Sequence, residues 1–261
     1  MPETHRTVPS AVVEVGSYYS RALGREQPYT LLTPATWNRT EPLPVVFLLH
    51  GRDFGHDSWA RYTRLARYAA GMRVVFVCPQ GDNGWYTNGI RGMRYEDDLT
   101  DDCVSAVRQR LPLQPPGTAW AIGGASMGGY GAVKIALKRP DLFHTAFSLS
   151  GALERTRMPK EDAIFGDPER DAAFRQQENP FALAEMALCK MPVDRPRLFV
   201  DCGLDDRLLE GNRRFRDHLG FIGYPVDYTE RPGRHTWPYF DRALKALLPV
   251  VARTLSRGAE R

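Results

Sequence analysis

The sequence predicts an α/β fold, a mostly parallel central sheet flanked by helices on both faces, with a small cap insertion. Three observations predict it. Residues 44–49, 73–78, 118–122, 145–149 and 197–201 are short runs dominated by apolar side chains, as strands buried on both faces require. Stretches of helical period lie between them. Strand and helix then alternate along the chain, the pattern of a parallel sheet joined by crossover helices.

Taken in order, residues 11–19 carry alternating valines and pair with a short strand at 28–32. After the run at 44–49, Trp59, Tyr62, Leu65, Ala66 and Ala69 share one helical face, with Asp57 or Ser58 as cap and Gly71 as stop. Beyond the run at 73–78, Leu99, Cys103, Val107 and Leu111 form a second stripe. Glu96, Asp97 and Asp98 stand in its first turn, where the helix dipole favours negative charge. The run at 118–122 leads into a helix carrying Val133, Ala136 and Leu137 on one face. Residues 152–195 are charged and proline-dotted and break the rhythm, which predicts a cap over one end of the sheet. Leu208, Phe215 and Leu219 predict a helix ended by Gly220, and a strand follows at 226–229. The last stripe is Trp237, Phe240, Leu244, Leu247 and Val251, which Pro249 is expected to kink or shorten. All of this reads as one domain over residues 1–261.

Bulk properties narrow the function. A chain of 261 residues that is 43% hydrophobic can bury a sizeable core. The net charge of +4 comes from arginines spread along the sequence without a basic block, so no nucleic-acid partner is expected. The N-terminal segment lacks a signal-peptide core, and no stretch approaches the length of an apolar span. The expectation is a soluble, cytoplasmic protein with no membrane partner; a homo-oligomer stays open. Cys78, Cys103, Cys189 and Cys202 form no C-x-x-C pair, and Cys78 and Cys202 read as buried, reduced thiols. The six histidines form neither H-E-x-x-H nor H-x-H, so neither metal nor cofactor is expected.

The chemistry is carried by GGASMGGYG, residues 123–131, directly after an apolar run. Gly124-Ala125-Ser126-Met127-Gly128 matches G-x-S-x-G, in which a sharp strand-to-helix turn lifts a serine hydroxyl above the sheet. A glycine-rich turn that binds phosphate, or simply turns, is the plainer reading of that motif alone. A serine nucleophile also needs a base and an orienting acid. Both follow at strand ends: DCGLDD at 201–206, then RPGRH at 231–235. Serine, acid, histidine is the chain order of the α/β-hydrolase architecture. Ser126 and His235 are thus catalytic candidates, and the backbone N–H groups of Met127 and Arg52 are candidate oxyanion donors.

These stretches, with LLHG at 48–51, DSW at 57–59, GWYTN at 84–88, YEDDL at 95–99, DCGLDDRLLEGN at 201–212 and PGRHTWPYF at 232–240, resemble the esterase D-like branch of the α/β hydrolases. That branch includes tributyrin-type esterases, S-formylglutathione hydrolases and mycolyl transferases. The resemblance spans most of the chain and implies that the acid is Asp206 rather than Asp205. Asp205 then reads as a solvated neighbour, and Asp201 as an acid that holds the backbone of its loop, a common role in such turns. It implies a serine carboxylesterase acting on small ester substrates through an acyl-enzyme. An acyl transferase or thioesterase using the same triad is the alternative, and a non-catalytic hydrolase-fold binding protein the remote one. The cysteine-bearing oxyanion loop associated with formylglutathione hydrolases is replaced here by Arg-Asp-Phe after His50-Gly51. Trp85, Tyr86 and Trp237 are candidate substrate contacts, with core or rim packing as the plainer role of each. His50 is expected to order the turn before the oxyanion loop, while His5, His56, His144 and His218 read as surface or packing residues. The charged cap predicts a fixed cover and a preference for short acyl chains, acetyl to hexanoyl.

Overall fold

The computed structural model describes residues 10–189, 191 and 195–259; His5 and part of the predicted cap's far boundary lie outside them. Its strands are β1 (Val12–Ser20), β2 (Arg25–Thr33), β3 (Val45–Leu49), β4 (Val75–Pro79), β5 (Gly117–Ala125), β6 (Phe143–Leu149), β7 (Arg197–Gly203) and β8 (Val226–Arg231). They form one sheet in the order β1-β2-β4-β3-β5-β6-β7-β8. β1 and β2 pair antiparallel, as do β2 and β4; every later pairing is parallel. This is the predicted α/β-hydrolase sheet.

The apolar runs are two-sided because the sheet has two cores. Val45, Phe47 and Leu49 of β3 enter the core on one face, and Val46 and Leu48 enter the other. The first face is covered by α4 (Val104–Arg110), α5 (Met127–Lys138), α7 (Pro180–Ala187) and α8 (Leu209–Ile222). The second is covered by α1 (Ser58–Tyr62), α2 (Leu65–Ala69) and α9 (Trp237–Ala259). The short α3 (Tyr95–Asp97) runs through a π-helical segment, Asp98–Cys103, into α4, and α6 (Ala172–Gln177) lies in the cap.

Three local expectations are corrected. The stripe from Trp59 to Ala69 is two helices, because Thr63 is extended and the Arg64 N–H is taken by Asp241 Oδ1 at 2.8 Å. α8 ends at Gly223 rather than Gly220; Gly223 takes the left-handed conformation (φ 75°) that closes a helix, with Tyr224 N donating to Leu219 O. Pro249 does not shorten α9, which continues to Ala259 with buried Val251 and Leu255 holding it to the sheet. Among the described residues, no helix is long and apolar enough to cross a membrane.

Candidate active site

The site assembles at the carboxyl ends of β3, β5, β6, β7 and the turn after β8. Ser126 joins β5 to α5 with φ 57° and ψ −115°, a conformation that costs a non-glycine residue on the order of 1–3 kcal/mol. The surroundings hold it there: its N–H donates to Leu149 O at 3.0 Å, and its carbonyl accepts from Ala152 N and Tyr130 N. The flanking glycines are required by close approach of backbone to backbone. A Cβ on Gly128 would lie 2.2 Å from Leu49 O, and one on Gly124 would lie 2.6 Å from the same atom. Met127 is the first residue of α5, so its N–H has no partner within that helix.

His235 Nδ1 is 2.8 Å from Asp206 Oδ2, and Leu208 N donates to Asp206 Oδ1 at 2.9 Å. The acid and histidine loops are stitched by backbone bonds, Leu204 N to Arg231 O at 2.8 Å and Asp205 N to Gly233 O at 2.9 Å. Burial opposes a charged Asp206, but hydrogen bonds from His235 and Leu208 N hold its carboxyl below the usual carboxylate range. Asp205 is exposed. Asp201 is buried and accepts from Arg231 Nε at 2.6 Å and from the Tyr239 hydroxyl, anchoring α9 and β8 rather than only the backbone of its own loop.

Ser126, His235, Arg52, Trp85 and Trp237 line one cleft of about 780 Å³. Phe54, Leu153 and Phe240 complete its apolar walls, and Trp237 is packed by Phe54 and Tyr62 at ring separations of 5.1 and 5.2 Å. Tyr86 does not line the cleft. It is buried, and its hydroxyl donates to His50 O at 3.1 Å, so its packing role replaces the expected substrate contact. His50 orders the turn as expected: Gly81 N donates to its Nε2 at 2.9 Å, leaving Nδ1 to donate to Gly51 O at 2.8 Å. Burial pushes its imidazole down to about 4, which keeps it neutral near pH 7.

The sequence reading missed the support beneath the nucleophile helix. Lys134 on α5 is fully buried, with its Nζ surrounded by Tyr86 O, Thr87 Oγ1, Glu96 Oε2 and Glu178 Oε2 at 2.6 to 2.9 Å, and Lys138 bridges the same two glutamates. Glu96 therefore serves this network, beyond any contribution to its helix dipole. A lysine on an otherwise apolar helix face was the available signal. Among the described residues, no group of three or more His, Cys, Asp or Glu side chains is placed to hold a metal.

Fold and site together define the serine-hydrolase class of the α/β-hydrolase architecture. The chain belongs to the esterase family: the profile described as "Putative esterase" matches residues 20–250. It is 26% identical over 221 residues to an acetyl esterase of Caldicellulosiruptor saccharolyticus, covering 78% of this chain and 81% of that protein. It is similar to the substrate-bound fluorophosphonate-binding serine hydrolase FphF of Staphylococcus aureus, with a TM-score of 0.81 and 27% identity over 94% of this chain and 99% of that one. An S-formylglutathione hydrolase (FrmB) of the same organism superposes with a TM-score of 0.80 at 28% identity, over 94% of this chain and all (100%) of that one.

Proposed function

We propose that this esterase is a carboxylesterase for short-chain acyl esters, working through an acyl-enzyme on Ser126. His235 takes the Ser126 proton as its oxygen attacks the ester carbonyl, then returns that proton to the departing alcohol. Asp206 fixes the tautomer that leaves Nε2 free to act as base, and stabilises the imidazolium. The N–H groups of Met127 and Arg52 receive the charge that develops on the carbonyl oxygen, each worth roughly 3 kcal/mol of barrier. Water, activated by the same histidine, then releases the acid. The observation that carries this reading is the strained Ser126 turn sharing one cleft with a histidine bonded to a buried carboxylate.

Residues 1–261 are read as one domain with the segment near 152–195 as a fixed cap. Most of the cap's large apolar side chains are spent on packing: Phe165, Phe181 and Leu183 are buried, whereas Met158 and Met186, the latter expected to pack down, are exposed as scattered single residues. Arg175 is buried and donates to the carbonyls of Thr156, Met158, Lys160, Phe165 and Gly166, tying the cap to itself. A lid that opens on lipid needs a broad apolar underside to offer. Buried, unpaired Cys78, Cys103 and Cys202 support a reducing, cytoplasmic setting. The test is turnover of p-nitrophenyl acetate with added alcohol acceptors. Release of free acetate with little transfer supports the esterase, whereas ester products dominating at millimolar acceptor would make it an acyl transferase.

A further inference from the structure

We infer that the esters this site prefers carry an anionic group on the alcohol moiety, recognised by Arg207. The inference rests on the esterase reading and adds the substrate's charge to it. Charged side chains on the cleft wall are matched in pairs: Arg52 with Asp53, Arg214 with Glu154, Arg155 with Asp162 behind it, and Glu210 with Arg213 behind it. Arg207 also lines the cleft, is exposed, and has no such carboxylate partner among the described residues. Its backbone is held in place, since the neighbouring Asp206 accepts Leu208 N and its carbonyl accepts Leu209 N. Arg207 follows Asp206, whose carboxylate holds His235, and Arg207 and His235 line the same cleft; because His235 must protonate the departing oxygen, the alcohol is assigned to this side. About 780 Å³ is the size of a pocket for a drug-sized ligand, far beyond an acetyl or butyryl group. A guanidinium free of partners in such a cleft offers a carboxylate, sulfate or phosphate a two-pronged, charge-assisted contact.

The experiment compares para-acetoxybenzoate with its uncharged isostere para-acetoxybenzamide, each rate normalised to hydroxide hydrolysis, in the wild type, Arg207→Gln and Arg207→Glu. The wild type is expected to favour the benzoate by about tenfold in kcat/KM, through KM, with the preference lost in Arg207→Gln and inverted in Arg207→Glu. Phenyl hemisuccinate, charged on the acyl side, should gain nothing from Arg207. A ratio near one in the wild type, a ratio insensitive to both variants, or an Arg207-dependent preference for the hemisuccinate overturns the proposal. Ser126-dependent turnover of the neutral amide tests the esterase reading separately.

Discussion

Replacing Asp206 by asparagine should disable the enzyme while leaving its fold in place. In the structure one carboxylate oxygen accepts Leu208 N at 2.9 Å and the other meets His235 Nδ1 at 2.8 Å. An asparagine of the same shape keeps its carbonyl on Leu208 N and turns its NH₂ toward Nδ1. That nitrogen must then accept, so the imidazole proton moves to Nε2, where the base should be. The corresponding change in the serine-protease template lowers kcat by about 10⁴, or roughly 5 kcal/mol of barrier. Asp205 is exposed and joins the scaffold through its backbone N–H to Gly233 O, which asparagine keeps. Asp205→Asn should therefore stay within about twofold of wild type. Initial rates on p-nitrophenyl acetate, with thermal unfolding as a fold control, separate the two. A crippled Asp205→Asn beside a nearly normal Asp206→Asn would refute the register of the triad acid.

Three further outcomes follow from the same geometry. His50 is depressed from 6.5 to about 4 by burial, so the unfolded chain binds the proton first; its share of stability is full above about 6.5 and declines toward pH 4. Urea denaturation should show roughly 2 kcal/mol lost from this group between pH 7.5 and 5, and a flat profile would contradict its neutral, buried role. Lys134→Met should destabilise by about 2–3 kcal/mol in the same assay, because it leaves the buried Glu96 and Glu178 with Lys138 as their remaining cation; a loss below about 1 kcal/mol would show the network to be dispensable. A p-nitrophenyl ester series should peak between acetyl and hexanoyl, with no jump on tributyrin at its solubility limit; a dodecanoyl optimum or an interfacial jump would remove the fixed cap.

The sheet was legible because runs such as Val45–Leu49 are apolar at every position, and only a strand between two helical layers places all five inside. Ser126 and His235 were legible because each follows a strand by a short, glycine-bearing turn. The structure brings both to one cleft, together with Arg52 and Trp237. What local pattern could not supply is what distant segments decide. Asp241 splits the first helix from 177 residues away, and Tyr86 turns from the cleft because His50 O and Lys134 claim it. Arg207 lies inside the DCGLDDRLLEGN stretch, but that its side chain faces the cleft without a carboxylate partner is decided by segments elsewhere in the chain.

The central claim is that Ser126 forms the acyl-enzyme. Intact-mass analysis with peptide mapping, after exposure to a fluorophosphonate, tests it most directly. A single adduct on Ser126, absent from a folded Ser126→Ala protein that has lost about four to six orders of magnitude in esterase rate, is the predicted result. An unlabelled Ser126 in active protein, or normal turnover by Ser126→Ala, would contradict it.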